Sequence, residues 1–164
     1  MDLPKILIIY DSRTGNTKRA ALKVSEGVKS VKGVECKVKN VDDVKIEDML
    51  EADGIIIGSP TYYGCMSGKI KELLDRSVKL HGKLEGKVGA AFTSAGGTAS
   101  GAETTILSIL KALLIHGMII QGNPHNQHYG TAVVGAPDGR EEELCIDFGS
   151  RVARLVTRLF PKKD

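Results

Sequence analysis

Five short strand-like runs alternate with helical patterns along the whole chain, and this alternation constrains the fold more than any other feature. The runs are Ile6–Tyr10, Glu35–Val41, Gly54–Gly58, Val88–Thr93 and Met118–Gln121. The first helical pattern covers Thr17–Val31, with Ala20, Ala21, Val24, Val28 and Val31 on one face. A short second one lies around Ile46–Ala52, and a third starts near Ser67 and carries Ile70, Leu73, Leu74 and Val78. The fourth reads as opening at Ser100 with Glu103 three residues on, a capping box. Its face is Ile106, Ile109, Leu110, Leu113 and Leu114, and Gly117 suits the position after its end. The fifth opens at Asp138 with Glu141 in the same relation, presents Leu144, Phe148, Val152, Leu155 and Leu159, and is followed by Pro161. Parallel neighbours need a long crossover, usually a helix, so this order predicts a doubly wound parallel α/β sheet with helices on both faces. The length of 164 residues suits one domain, 1–164, with one sizeable core.

Composition excludes several classes of function. A hydrophobic content of 41% and a charged content of 26% fit an ordinary globular chain. No apolar run is long enough for membrane insertion, and Met1-Asp2-Leu3-Pro4 lacks the features of a signal peptide, so a cytoplasmic protein is expected. Cys36, Cys65 and Cys145 are widely spaced and form no Cys-x-x-Cys pair, which argues against a disulfide framework and against a metal site. Basic residues do not cluster with aromatics, so nucleic-acid binding is not indicated.

The chemistry concentrates where ligands sit in such sheets, beyond the carboxyl ends of the strands. After the first run come Ser12, Arg13, Thr14, Gly15, Asn16 and Thr17, and a helix pattern begins at once. A helix N-terminus with hydroxyl and amide donors around it is an anion site. The loop matches neither the Walker pattern nor the dinucleotide Gly-x-Gly-x-x-Gly fingerprint. Many side-chain donors suit a terminal phosphate monoester, and Arg13 adds positive charge. After the third run come Pro60, Thr61, Tyr62, Tyr63 and Gly64. Two adjacent tyrosines offer flat surfaces to a flat ring, and Gly64 lets the backbone approach it. After the fourth run come Thr93, Ser94, Ala95, Gly96 and Gly97, whose small residues leave main-chain donors uncovered for a ring edge. Residues Gly122–Asp138 read as a long non-helical stretch on the substrate side, with His128 and Tyr129 as candidates to orient or protonate a substrate oxygen.

Ser12-Arg13-Thr14-Gly15-Asn16-Thr17 resembles the FMN phosphate loop of flavodoxins. Together with Gly58–Gly68, Thr93–Gly97, Ile115-His116-Gly117-Met118 and His128-Tyr129-Gly130, it makes nearly the whole chain resemble the WrbA-type NAD(P)H:quinone oxidoreductases. The resemblance implies a flavodoxin-like five-stranded sheet of order 2-1-3-4-5 and FMN as cofactor. It implies two-electron transfer from NADH or NADPH to a quinone-type acceptor. The tyrosine pair and the glycine-rich rim suggest a flavin face partly covered by a neighbour, so a homodimer or homotetramer is expected. The alternative is a flavodoxin-like one-electron carrier that docks on a protein reductase. Two departures stand out. Ile115 replaces a family histidine that reaches a neighbouring subunit's flavin, and Val41–Ala52 is too short for the family's insertion.

Overall fold

The computed structural model describes residues 2–161. The strands are β1 (Lys5–Tyr10), β2 (Glu35–Asn40), β3 (Gly54–Pro60), β4 (Val88–Ala95), β5 (Ile119–Ile120) and β6 (Ala132–Val134). The helices are α1 (Asn16–Lys29), α2 (Ile46–Glu51), α3 (Gly68–Arg76), α4 (Ala102–Ile115) and α5 (Gly139–Leu159). All strand pairs are parallel, in the order β2-β1-β3-β4-β5, with β6 also on β4.

Central strands of a parallel sheet are covered on both faces, so their residues divide by parity. Leu7 and Ile9 of β1 and Ile55 and Ile57 of β3 join one core with α2, α3 and α4. Ile6, Ile8 and Ile56 join the other with α1 and α5. Among the described residues no helix is long and apolar enough to cross a membrane.

The fifth strand is split, contrary to the single run expected at Met118–Gln121. Ile119 and Ile120 pair with Val88 and Gly89 at the start of β4, while Ala132–Val134 pair with Thr93–Ala95 at its end. Turn formers at Gly122, Asn123, Pro124 and Asn126 loop the chain out between the halves. The long non-helical stretch Gly122–Asp138, expected as a substrate-side loop, contains β6, which brings Ala132–Val134 back onto the sheet.

Neither expected capping box forms. Ser100 Oγ donates to Gly97 O, and α4 starts one residue later, capped by Gly101 in the left-handed region at φ 99°. Asp138 caps α5 without a side-chain bond, and Glu141 Oε1 instead accepts from Val134 N at 2.9 Å, fastening β6 to α5. Ser67 does cap α3, accepting from Ile70 N at 3.4 Å. Val78 lies past the end of α3, in a 3-10 turn that rotates it outward to 69% exposure. Leu114, expected in the core, is 56% exposed.

The buried face of α5 is also not the one expected. Cys145, Gly149, Val152, Ala153 and Val156 are buried, while Phe148 and Leu155 only flank the core, Leu144 is half-buried and Leu159 is exposed. Close approach of α1 and α5 is the cause. An ideal Cβ on Gly149 would lie 2.0 Å from Val24 O, and one on Gly27 would lie 1.9 Å from Ile146 O. Small residues occupy the line of contact, and the larger ones are displaced to its sides.

Candidate functional site

At the carboxyl edge of the sheet, β1 continues one residue further, with Asp11 N donating to Gly58 O at 3.1 Å. The chain then turns at Gly15 (φ 94°), the residue preceding α1, and no side chain caps the helix. The first turn of α1 thus keeps unpaired N–H donors facing the loop, and it contains no acidic residue. Ser12 Oγ accepts from Gly15 N at 3.1 Å, which leaves its own proton free to donate outward. Ser12 and Asn16 are half-buried, Thr14 is exposed and Thr17 is buried at the helix start. The six loop residues singled out from the sequence thus lie on the turn between β1 and the first residues of α1.

Next to this loop, Tyr62 and Cys65 exchange two backbone hydrogen bonds of 3.0 Å around Tyr63 and Gly64. Tyr63 at φ 50° and Gly64 at φ 71° make the two central residues of a type I′ turn. A tyrosine in the left-handed region is uncommon, and here its ring projects wholly into solvent. The two tyrosines thus diverge. Tyr62 is half-buried and lies under Arg13, whose guanidinium carbon is 5.4 Å from its ring centroid. This cation–π contact ties the first loop to the second, and nothing in the sequence signals it.

The third loop leaves β4 beside β6. Ser94 Oγ donates to Gly135 O at 2.7 Å, and Gly96 and Gly97 have open space where side chains would stand. Thr93 and Ala95 are buried, so they lie beneath the surface that Gly96 and Gly97 expose. Pro60 and Thr61 stand half-buried at the end of β3, between the other loops. Thr61 Oγ1 lies 2.8 Å from Thr93 Oγ1.

The pairing of β6 brings His128 and Tyr129 to the first turn of α4. With Glu103, Ile106, Gln127, Gly130 and Ala132 they line a recess of about 200 Å³. His128 Nδ1 lies 2.7 Å from Asn123 O. A carbonyl only accepts, so Nδ1 carries the proton in this contact.

His116 is not part of this edge. It closes α4, where the sequence suggested a cation on the helix dipole, but burial and the neighbouring His81 push its pKa down and favour the neutral ring. Its Nε2 lies 2.7 Å from Ser77 Oγ, and Ser77 Oγ donates to Leu74 O. Of the cysteines, burial pushes Cys145 up to about 12, Cys36 is also raised by burial, and Cys65 stands exposed beside the tyrosine turn.

A family model described as NADPH-dependent FMN reductase matches residues 4–127. The chain belongs to that family, with a flavodoxin-like fold. A flavodoxin of Aquifex aeolicus (strain VF5) is 42% identical over 160 residues, covering 93% of this chain and 86% of the relative. An NAD(P)H dehydrogenase (quinone) of Archaeoglobus fulgidus is 35% identical over 191 residues, covering 96% and 100%. The crystal structure of a flavodoxin, WrbA-like protein from Agrobacterium tumefaciens superposes with a TM-score of 0.80 at 24% identity, covering 94% of this chain and 98% of that one.

This member of the FMN reductase family offers a site that fits a phosphorylated flavin. An uncapped helix start with hydroxyls around it suits a dianion. A glycine-opened loop two strands away suits a ring edge, and the end of β3 between them leaves a path for a linker. The sequence missed the buried Asp11, the Arg13–Tyr62 contact and the Thr61–Thr93 pair. Each depends on neighbours distant in the chain.

Proposed function

We propose that this chain is an FMN-dependent oxidoreductase passing two electrons from NADH or NADPH to a quinone-type acceptor. The observation that carries the reading is the meeting of three unlike loops, one rich in donors, one aromatic and one glycine-rich, at the point where the strand order reverses. Ser12, Thr14, Asn16 and Thr17 hold the phosphate with the N–H groups of the first turn of α1, Gly15 turns the chain between them, and Arg13 adds charge. Pro60 and Thr61 guide the linker, Tyr62, Tyr63 and Gly64 flank the ring, and the main chain of Ser94–Gly97 meets its polar edge. Thr93 and Ala95 support that edge from below. When bound, FMN supplies the reversible two-electron chemistry. His128 holds an imidazole whose Nε2 faces outward, where it moves a proton to or from an acceptor oxygen, and Tyr129 orients that oxygen.

A second reading, a one-electron carrier served by a protein reductase, is favoured by the 42% identity to a flavodoxin. Stopped-flow mixing separates the two. NADH or NADPH by itself is expected to bleach the bound flavin, with benzoquinone restoring the colour. Bleaching that requires an added reductase protein establishes the carrier.

The working unit is a homodimer or homotetramer. Val78, Leu114 and Ile115, at 69%, 56% and 74% exposure, leave apolar surface around the end of α4 that a second copy would cover. Light scattering is expected to show at least a dimer, and a fully active monomer at every concentration rejects it. The three free thiols suit the reducing cytoplasm.

A further inference from the structure

We propose that Thr93 is a positioning residue that sets Thr61 as a hydrogen-bond acceptor for a hydroxyl on the linker of the bound flavin phosphate; this deepens the FMN reading above and rests on it. The assignment follows from counting protons. Thr93 Oγ1 donates to Ser59 O at 2.7 Å. A hydroxyl has one proton, so Thr93 cannot also donate to Thr61. Across the 2.8 Å contact Thr61 Oγ1 is therefore the donor. The backbone N–H of Thr61 is spent as well, on Ser94 O at 2.8 Å. Thr61 thus has both donors engaged inside the fold, and its Oγ1 has only lone-pair capacity left for a ligand.

The position of this acceptor gives it meaning. β3 lies between β1 and β4 in the sheet. A ligand with its phosphate at the β1 loop and its ring at the loops after β3 and β4 must lead its linker across the end of β3, where Thr61 is half-buried. At the phosphate end the polarity is opposite, because Ser12 accepts from Gly15 N and keeps its proton for the ligand. The edge is therefore graded, with donors for an anion at one end and an acceptor in the middle. A phosphate oxygen or ring carbonyl at Thr61 would meet lone pairs and be repelled, whereas a linker hydroxyl donates. Thr93 is wholly buried and cannot reach the ligand itself. Its effect is to hold the Thr61 proton inward.

The test uses the full-length chain freed of flavin, titrated by quenching of flavin fluorescence. The probes are FMN and an analogue in which an unsubstituted five-carbon alkyl chain joins the ring to the phosphate. Wild type is expected to favour FMN by at least about tenfold, the scale of one neutral hydrogen bond. Thr93→Val and Thr61→Val are each expected to weaken FMN about five- to tenfold while leaving the alkyl analogue within about twofold. Thr93→Ser, which keeps the hydroxyl, restores FMN binding, and the double variant is no weaker than either single one because the two act through one bond. Equal losses for both probes in Thr93→Val make Thr93 purely structural and overturn the proposal, as does unchanged FMN binding. Should Thr93→Val fail to fold, Thr61→Val decides by the same comparison. Wild type binding neither probe is a separate outcome: it removes the FMN reading itself, and the proposal with it.

Discussion

Replacing Thr14 and Thr17 together with valine is expected to abolish most of the affinity for FMN while leaving riboflavin binding nearly unchanged. Thr17 stands in the first turn of α1 and Thr14 in the loop just before its cap, where no side chain caps the helix and the first turn carries no acidic residue. A hydroxyl bonded to a phosphate dianion makes a charge-assisted bond, worth roughly 1.5–3 kcal/mol. Losing two such bonds corresponds to a drop on the order of a hundredfold or more in binding constant. Valine also sets a methyl group where each hydroxyl had met a phosphate oxygen, so the lost bond is not replaced. Riboflavin lacks the phosphate, so it serves as the internal control: equal losses for the two flavins would point to damage of the fold. Unchanged FMN affinity in the double variant would reject the loop as the phosphate site.

The largest loss of stability is expected from Gly149→Val. An ideal Cβ there would stand 2.0 Å from Val24 O, a backbone atom of a helix that cannot yield locally. Valine would force α1 and α5 apart along their whole contact and open the core that they share with Ile6, Ile8 and Ile56. Overpacking of this kind costs about 3 kcal/mol or more, a large share of the total stability of a domain this size. Thermal or urea unfolding measures it. The nearby Phe148→Leu is the comparison, because Phe148 flanks the core and has room to change. If Gly149→Val unfolds at the wild-type midpoint, the close packing of α1 on α5 is wrong.

What could be read directly from the chain is the part whose signal is local. The β-branched runs of β1 and β3, the turn after β1, the glycines after β4 and the helix start near Ser67 each follow from a few consecutive residues, and the structure has them where the pattern places them. The parallel order follows from the same local evidence, since alternating strands and helices leave few topologies. The face of α5 was misread because hydrophobicity marks large apolar residues, whereas the buried line of this helix is set by how close α1 comes. The capping boxes at Ser100 and Asp138 failed because their groups found other partners: Gly97 O for the serine hydroxyl, and Val134 N for the carboxylate of Glu141. The divergence of Tyr62 and Tyr63 required the turn dihedrals, and the splitting of the last strand required the length of β4 that both halves share.

The sequence by itself therefore determined the layered parallel sheet and the three loops at its carboxyl edge, because backbone preference and residue chemistry act over a few neighbours. Only the tertiary structure decided which hydroxyls donate and which accept, as with Thr61 and Thr93, and which loop His128 and Tyr129 stand beside. A hydrogen bond's direction and a packed helix's rotation depend on partners dozens of residues away, and these come within reach only when the chain has folded.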